Sequence, residues 1–177
     1  FSTIANNDKV GVIFFSDKIE KFIPAKKGKT HVLHIIRELL SFEPTSSGTD
    51  VAQALQYFTN AQKRHCTAFL ISDFIGAGAM YKPLLIASNR HEVNAIQIYD
   101  RREAELPNIG LVKFHDAETG NDLWVDTAIA SVRNQYGQAW RDNQNDIEQL
   151  FTRTGVNHVS VRTDQDYVKA LMHLFKC

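Results

Sequence analysis

The sequence is short of cysteine and proline, and it carries no excess charge of either sign. Its two cysteines, Cys66 and Cys177, provide neither a framework of several disulfides nor the paired spacing of a zinc site. We interpret them as free thiols in a reducing compartment and therefore expect a cytoplasmic protein. Twenty basic residues balance twenty acidic ones, whereas a nucleic-acid-binding protein normally has a basic excess. The balance argues against a nucleic-acid partner.

Long hydrophobic runs and the common catalytic motifs are also absent. No apolar stretch reaches the roughly 18 residues of a transmembrane helix, so we expect no membrane span in this chain. The sequence contains no G-x-S-x-G elbow, no glycine-rich phosphate loop and no H-E-x-x-H zinc motif. Because no catalytic nucleophile can be identified, we predict that the chain is not an enzyme.

Short apolar runs alternate along the chain with segments of helical periodicity, which is typical of an α/β fold. A strand at 19–23, ended by Pro24, is predicted to be the antiparallel partner of the first core strand. The last helix is predicted to begin with a capping box at 163–166, and Gly155 is predicted to cap the long helix before it. The core strands are predicted at 10–15, 68–71, 93–99 and 156–161, and the other helices at 29–42, 50–64, 81–89 and 127–153.

A β-hairpin insertion is predicted around 111–126, with arms at 111–114 and 123–125 and a turn at 116–121 that contains Gly120. Strands that alternate with helices favour a doubly wound, mostly parallel sheet with helices on both faces. We therefore predict one α/β domain over residues 1–177.

Two polar segments lie where such a sheet binds ligands, at the carboxyl ends of its strands. Gly48, Thr49 and Asp50 open a helix, and Ser72 and Asp73 close a buried strand. A threonine hydroxyl and an aspartate carboxylate are hard oxygen ligands that suit Mg²⁺. Two alternatives remain open, because Thr49 or Asp50 could only cap the helix and Asp73 could only hold a turn.

Several longer segments resemble known families. The strings SSGTDVAQAL (46–55) and FLISDF (69–74) resemble the second and third segments of the metal-binding site of a von Willebrand factor A fold. The whole chain is similar to the bacterial family called domain of unknown function 58. The segments that carry this similarity are NNDKVGVIFFSD (6–17), LPNIGLVKFHDAETGNDLWVDT (106–127) and GVNHVSVRTDQDYVKALMHLFK (155–176).

The resemblance implies a set of site residues. Thr49 matches the hydroxyl ligand of the family's metal site, and Asp73 matches its carboxylate ligand, which often acts through water. The first family segment, D-x-S-x-S, is absent. The resemblance therefore implies Mg²⁺ for the intact protein, and for this chain we expect weak metal binding or none. The residues expected to contact a partner are Ser47, Gly48, Asp50 and Ser72.

The start of the sequence also fits an incomplete domain. Residues 1–7 are similar to the end of an amphipathic helix, and the strand that would precede this helix is absent. We therefore expect an N-terminally truncated von Willebrand factor A-like fold. In that fold the absent strand lies between the strands at 10–15 and 68–71, so these two either pair directly or accept another chain. An open apolar edge favours association, and we predict that the chain self-associates.

The resemblance implies a protein-interaction module rather than an enzyme. Members of the family resemble companions of MoxR-type AAA+ ATPases, with chaperone-like roles in assembling other proteins. One alternative is a Mg²⁺-dependent phosphohydrolase, because Asp17, Asp73 and Asp100 all follow predicted strands. Another alternative is a structural domain with a degenerate metal site.

Overall fold

The computed structural model describes residues 6–75, 77–115 and 120–174 and divides the chain into two compact units. The first unit spans Phe1–Ala61 and the second spans Gln62–Cys177. The first contains β1 (Val10–Phe15), β2 (Ile19–Lys26), α1 (Lys29–Ser41) and α2 (Val51–Ala61). The second contains β3 (Thr67–Ser72), a 3₁₀ helix (Ala77–Met80), α3 (Tyr81–Arg90), β4 (Glu92–Tyr99), α4 (Arg101–Ala104), β5 (Leu111–His115), β6 (Asp122–Asp126), α5 (Ala130–Thr154), β7 (Asn157–Arg162) and α6 (Tyr167–Leu174).

An antiparallel hairpin and two helices build the first unit. β1 and β2 pair across a short turn, and Phe14 on β1 is buried against Phe42, with ring centroids 4.9 Å apart. The helix α2 buries its apolar face, including Val51 and Leu55. By contrast, α1 has no buried residue, so the core of this unit lies between the hairpin and α2.

Pro24 does not end β2 as predicted, because the strand continues to Lys26. The register shifts near this proline, from Val12 opposite Ile23 to Val10 opposite Lys26. A proline lacks the N–H that a regular ladder requires, and a bulge tolerates this loss. Gly11 completes the bulge, because a Cβ at this position would lie 2.9 Å from the Ile23 carbonyl oxygen.

The second unit is organised around a parallel sheet with the strand order β3-β4-β7. The buried residues of α3 and α5 include Leu84, Ala87, Ile147 and Phe151. The Phe151 ring lies edge-on to Phe74 with a centroid distance of 5.2 Å, and it stacks on His158 of β7 at 4.9 Å. The predicted α/β class and the parallel pairing are thus confirmed.

The sheet is narrower than a doubly wound sheet that includes β1. Among the described residues, the parallel sheet has three strands, and β1 belongs to a separate two-stranded sheet with β2. A hairpin with a very short connection closes at low entropic cost, which favours the local partner β2. The expectation of one domain over 1–177 stays a prediction.

The carboxyl end of α5 agrees with the prediction, and its amino end differs from it by three residues. Gly155 caps its carboxyl end in the left-handed region, with φ of 65°, as predicted. The helix begins at Ala130 rather than at 127.

None of the described helices combines the length and apolar character that crossing a bilayer requires.

The predicted capping box at 163–166 is wrong. The helix α6 begins at Tyr167, and the Asp166 carboxylate accepts a hydrogen bond from Val168 N at 2.9 Å. Thr163 instead extends the hydrogen bonding between β7 and β4, because its N–H donates to the Tyr99 carbonyl at 3.0 Å. Its hydroxyl donates to the Asp100 carboxylate at 2.9 Å. The Thr163 hydroxyl therefore bonds to a residue distant in sequence instead of capping α6.

The predicted hairpin is confirmed as β5 and β6, with Val112 opposite Val125 and Lys113 opposite Trp124. Gly120 has a φ of 73°, which only glycine adopts readily. The turn predicted at 116–121 also includes residues 116–119, which lie outside the described residues. At the base of the hairpin, Thr127 is fully buried and bonds to Gly110. This contact fixes the position from which the hairpin extends.

Candidate functional site

In the first unit, a single carboxylate holds the polar loop between α1 and α2. Glu20 on β2 accepts hydrogen bonds from Thr45 N at 3.0 Å and from the Thr45 hydroxyl at 2.7 Å. The Ser16 hydroxyl also donates to Glu20, at 2.8 Å. Hydrogen bonds from Thr45, and then from Ser16, hold the pKa of Glu20 below its ordinary value. Glu20 is therefore charged at neutral pH and holds the loop at the carboxyl end of β1.

This loop contains four of the predicted site residues. Gly48 lies close to Asp17, because a Cβ at position 48 would be 3.4 Å from the Asp17 Cβ. Asp50 N donates to the Ser16 carbonyl at 2.8 Å. The loop thus brings Ser47, Gly48, Thr49 and Asp50 to the carboxyl end of β1, with Ser47 and Thr49 exposed.

Asp50 caps the amino end of α2, which was the alternative to a role in partner contact. Its carboxylate accepts a hydrogen bond from Gln53 N at 2.9 Å, and α2 begins one residue later at Val51. A negative charge at this end also interacts favourably with the helix dipole. The contact stabilises α2, and Thr49, which precedes it in the chain, is exposed.

In the second unit, Ser72 and Asp73 form the end of β3, as predicted. The Asp73 side chain is exposed, and its Oδ1 accepts a hydrogen bond from Ile75 N at 3.1 Å. The Ser72 hydroxyl accepts from Phe74 N at 3.2 Å. Both side chains therefore hold a tight turn, which was the alternative interpretation of Asp73. The same turn presents the Asp73 carboxylate to solvent at the strand end.

The turn after Asp73 is conformationally restricted. Phe74 has a φ of 58°, a left-handed conformation that side chains other than glycine rarely adopt. Its ring is fully buried and packs against Phe151. Strained residues of this kind persist where the surrounding packing fixes them, and they are frequent at functional sites. The packing of Phe74 thus fixes the position of Asp73.

A buried glutamine holds the turn from the neighbouring strand. Gln97 on β4 is 1% exposed, and its amide donates to the Asp73 carbonyl at 3.1 Å. On its other side, the Ser160 hydroxyl of β7 donates to the Gln97 carbonyl oxygen at 2.7 Å. The bonds join the three parallel strands near their carboxyl ends.

Replacement of Gln97 by leucine is expected to lower the free energy of unfolding by about 1 kcal/mol, because two hydrogen bonds are lost while volume is kept. Urea denaturation measures this change. Gln97→Glu is the matched variant: it retains an acceptor for Ser160 but loses the donor to Asp73. A leucine variant as stable as the native chain would contradict the role of the network.

Sequence reasoning missed a second polar cluster at the ends of β4 and β7. The Asp100 carboxylate accepts hydrogen bonds from Arg102 N at 2.8 Å and from the Thr163 hydroxyl at 2.9 Å. These bonds, that of Arg102 N first, lower the pKa of Asp100. Asp100 and Glu103 form a capping box at α4, and the string DRRE at 100–103 is the signal that could have revealed it. The cluster caps α4 and joins the ends of β4 and β7.

The ligand types at the predicted site suit a hard cation, but few ligands are present. Thr49 offers a hydroxyl in the first unit, and Asp73 offers a carboxylate in the second. Among residues 6–75, 77–115 and 120–174, no group of three or more His, Cys, Asp and Glu residues could hold a metal ion. Mg²⁺ commonly takes one or two carboxylates and keeps several waters. The convergence of Thr49 and Asp73 stays a prediction.

Comparison with known proteins defines the class of protein. A family model described as "Protein of unknown function DUF58" matches residues 1–146. The chain therefore belongs to the DUF58 family.

Curated relatives come from mycobacteria. The uncharacterized proteins Mb1516 of Mycobacterium bovis and Rv1480 of Mycobacterium tuberculosis are both 28% identical over 172 residues, which cover 95% of this chain and 53% of those proteins. The uncharacterized protein MAV169 of Mycobacterium avium is 30% identical over 158 residues, which cover 87% of this chain and 92% of that protein. The chain thus spans about half the length of the first two relatives.

Two solved structures share the fold. One is the conserved hypothetical protein BatB from Bacteroides thetaiotaomicron, with a TM-score of 0.56 at 16% identity, over 97% of this chain and 81% of that one. The other is an aerotolerance-related membrane protein from Bacteroides fragilis, with a TM-score of 0.54 at 17% identity and the same coverage. At this identity, the similarity shows a common fold.

Proposed function

We propose that this chain is a protein-interaction module that recognises an acidic group of a partner through a divalent cation. The observation that supports the proposal most is the position of Asp73. Its carboxylate is exposed at the carboxyl end of a parallel strand, where α/β sheets bind ligands. The buried Phe74 and the amide of Gln97 hold it there. A carboxylate held in a fixed position at this place is better interpreted as a ligand of a hard cation than as a solvated surface charge.

In this proposal Thr49 is the hydroxyl ligand and Asp73 is the carboxylate ligand, directly or through water. A bound Mg²⁺ would supply the positive charge that attracts a partner carboxylate. Ser47, Gly48, Asp50 and Ser72 would contact the partner around the ion. The resemblance of the family to companions of MoxR-type AAA+ ATPases supports such an ATPase as the partner, in chaperone-like assembly in the cytoplasm.

The test is calorimetric titration of Mg²⁺ into the chain and into Asp73→Asn. Asparagine retains an oxygen that can accept from Ile75 N, so the turn is kept and only the charge is lost. We expect weak binding by the native chain and binding about 10- to 100-fold weaker by the variant. Asp142→Asn is the matched control, because Asp142 is exposed on α5 and bonds to Gln138. Equal heats in the native and Asp73→Asn chains would remove the metal from the proposal.

A structural domain with a degenerate metal site is the second candidate, and one observation favours it. Asp50 and Asp73 both have local structural hydrogen bonds, to Gln53 N and Ile75 N. Absence of Mg²⁺ binding in all three chains would support this candidate. The phosphohydrolase alternative has less support, because the Asp100 carboxylate caps α4. It predicts turnover of a generic phosphate ester that is lost in Asp73→Asn.

A further inference from the structure

The hairpin β5–β6 forms an arm with exposed apolar side chains. Within the described residues, β5 and β6 pair only with each other, and Thr127 fixes the base of the arm through its bond to Gly110. Leu111, Leu123 and Trp124 are 66%, 64% and 62% exposed. A two-stranded hairpin is only marginally stable in water by itself, and a further strand or a packed layer stabilises it. The arm is therefore suited to being covered by a partner.

The outer edge of β6 offers backbone groups to such a partner. Thr127 N donates to the Gly110 carbonyl at 2.9 Å, and the pairing of β6 with β5 is regular. Hydrogen-bonded and non-bonded pairs alternate along an antiparallel ladder, so Val125 also bonds to β5. The N–H and C=O groups of Trp124 and Asp126 consequently point away from β5. An extended segment can therefore add to β6 as a further strand.

The charges of β6 indicate which segment fits this edge. The sequence DLWVD (122–126) places three apolar residues between Asp122 and Asp126. Both aspartates and Trp124 lie on one face, because side chains alternate along a strand. A second copy of β6, antiparallel about Trp124 or parallel in register, would place aspartate beside aspartate, which is unfavourable. A segment with basic residues opposite the two aspartates is complementary instead.

The basic residues of the arm offset only part of this negative charge. Lys113 and His115 contact the Asp122 carboxylate at 2.7 and 2.9 Å. Hydrogen bonds from Lys113, and then from His115, lower the pKa of Asp122, so this carboxylate is ionised at neutral pH. Residues 111–126 contain one lysine and four acidic residues, which gives the arm a net charge of −3. The acidic excess favours a basic partner.

We propose that the outer edge of β6 binds an extended segment of another protein that carries three apolar residues between two basic ones. The segment adds to the arm as a third strand and bonds to the outward backbone groups of Trp124 and Asp126. Its basic residues lie beside Asp122 and Asp126, and its central apolar residue covers the Trp124 ring. The inference goes beyond the proposed metal site and does not depend on it.

NMR titration in EDTA tests the proposal with a defined probe, the capped peptide Thr-Lys-Val-Phe-Val-Lys-Thr. The matched peptide has glutamate in place of both lysines, and we expect it to bind at least about 10-fold more weakly, because like charges then meet. Trp124→Ser is expected to weaken binding of the lysine peptide about 10-fold, because the central apolar contact is lost. Trp124 is exposed, so this variant is expected to fold, and circular dichroism checks this. Leu40→Ser is the control, because Leu40 is 83% exposed on α1 and lies outside the arm.

Asp126→Asn tests the charge complementarity separately. Asparagine keeps an oxygen that can accept from Ala128 N, as Asp126 does at 2.9 Å, so the end of β6 is retained. The variant is expected to bind the lysine peptide about 3- to 5-fold more weakly and the glutamate peptide more tightly. Equal changes for the two peptides would contradict a role for this charge.

Hydrogen exchange tests whether the segment adds as a strand. In the free chain, the Trp124 and Asp126 amides are expected to exchange faster than the Val125 amide, which bonds to β5. With the lysine peptide at about ten times its dissociation constant, exchange of the Trp124 and Asp126 amides is expected to slow about 10-fold. The Val125 amide is the internal reference.

Five results would overturn the proposal. They are no binding of the lysine peptide, equal binding of the two peptides, unchanged binding by Trp124→Ser, equal losses in Trp124→Ser and Leu40→Ser, and binding that leaves the Trp124 amide unprotected. Protection of this amide in the free chain would also overturn it, because the chain itself or a second copy would then cover the edge. Because the titration contains EDTA, its failure leaves the Mg²⁺ titration unaffected, and failure of the Mg²⁺ titration leaves the peptide binding unaffected.

Discussion

Replacement of Phe151 by alanine is expected to lower the free energy of unfolding by about 3 to 5 kcal/mol. The Phe151 side chain is fully buried. It lies edge-on to Phe74 and stacks on His158, so its removal deletes two aromatic contacts and leaves a cavity. Burial lowers the pKa of His158, which favours the neutral ring in this contact at pH 7. The loss is expected to be large because Phe151 connects α5 to β7 and to the Asp73 turn.

Urea denaturation followed by fluorescence measures this effect. Trp140 is a suitable probe, because it lies on α5 with its ring 5.1 Å from Tyr99. Phe151→Leu keeps most of the volume and is expected to lose clearly less stability than the alanine variant. Leu123→Ala is the surface control, because Leu123 is 64% exposed, and a change within about 0.5 kcal/mol is expected. Equal losses for Phe151→Ala and Leu123→Ala would contradict the packing described for this core.

Replacement of Thr127 by valine is expected to lower the free energy of unfolding by about 1 to 3 kcal/mol. The Thr127 hydroxyl is fully buried with its residue and donates to the Gly110 carbonyl at 2.7 Å. It also accepts from Ile109 N at 3.0 Å. Valine has nearly the same shape but lacks the hydroxyl, so the Ile109 amide loses its partner at the base of the hairpin.

Hydrogen exchange locates the effect of this change. In Thr127→Val the Ile109 amide is expected to exchange faster than in the native chain, because its acceptor is gone. Thr127→Ser keeps the hydroxyl and is expected to retain the protection of this amide, with a smaller loss of stability from the missing methyl group. If serine and valine accelerated the exchange of Ile109 equally, the hydroxyl would not be the group that holds the hairpin.

Local patterns along the chain predicted most of the secondary structure. The alternation of apolar residues identified the strands and helices, since periodicity reports which face of an element is buried. Gly155 and Gly120 were predicted correctly because a left-handed conformation has a strong residue preference. The errors fall where local preference and tertiary contact compete. Pro24 lies in a bulge within β2, and Thr163 bonds to Asp100 instead of capping α6.

The candidate site was predicted only in part, for the same reason. Its sequence pattern identified Asp73 as a residue at a strand end, and the structure places it there. The groups that hold it are distant in sequence: Gln97 bonds to Ser160, which is 63 residues away. Glu20 similarly holds Thr45 across 25 residues. No periodicity or motif relates residues that far apart.

The sequence by itself determined the α/β class, the hairpin at β5–β6 and the position of Asp73 after an apolar strand. Each of these features depends on residues that are close in sequence, because residue conformational preferences and the alternation of apolar and polar residues act over a few positions. Only the tertiary structure decided that Phe74 adopts a left-handed φ and that Gln97 reaches the Asp73 carbonyl. These features arise from packing and from hydrogen bonds between segments, whose energies exist only after the chain has brought the segments together.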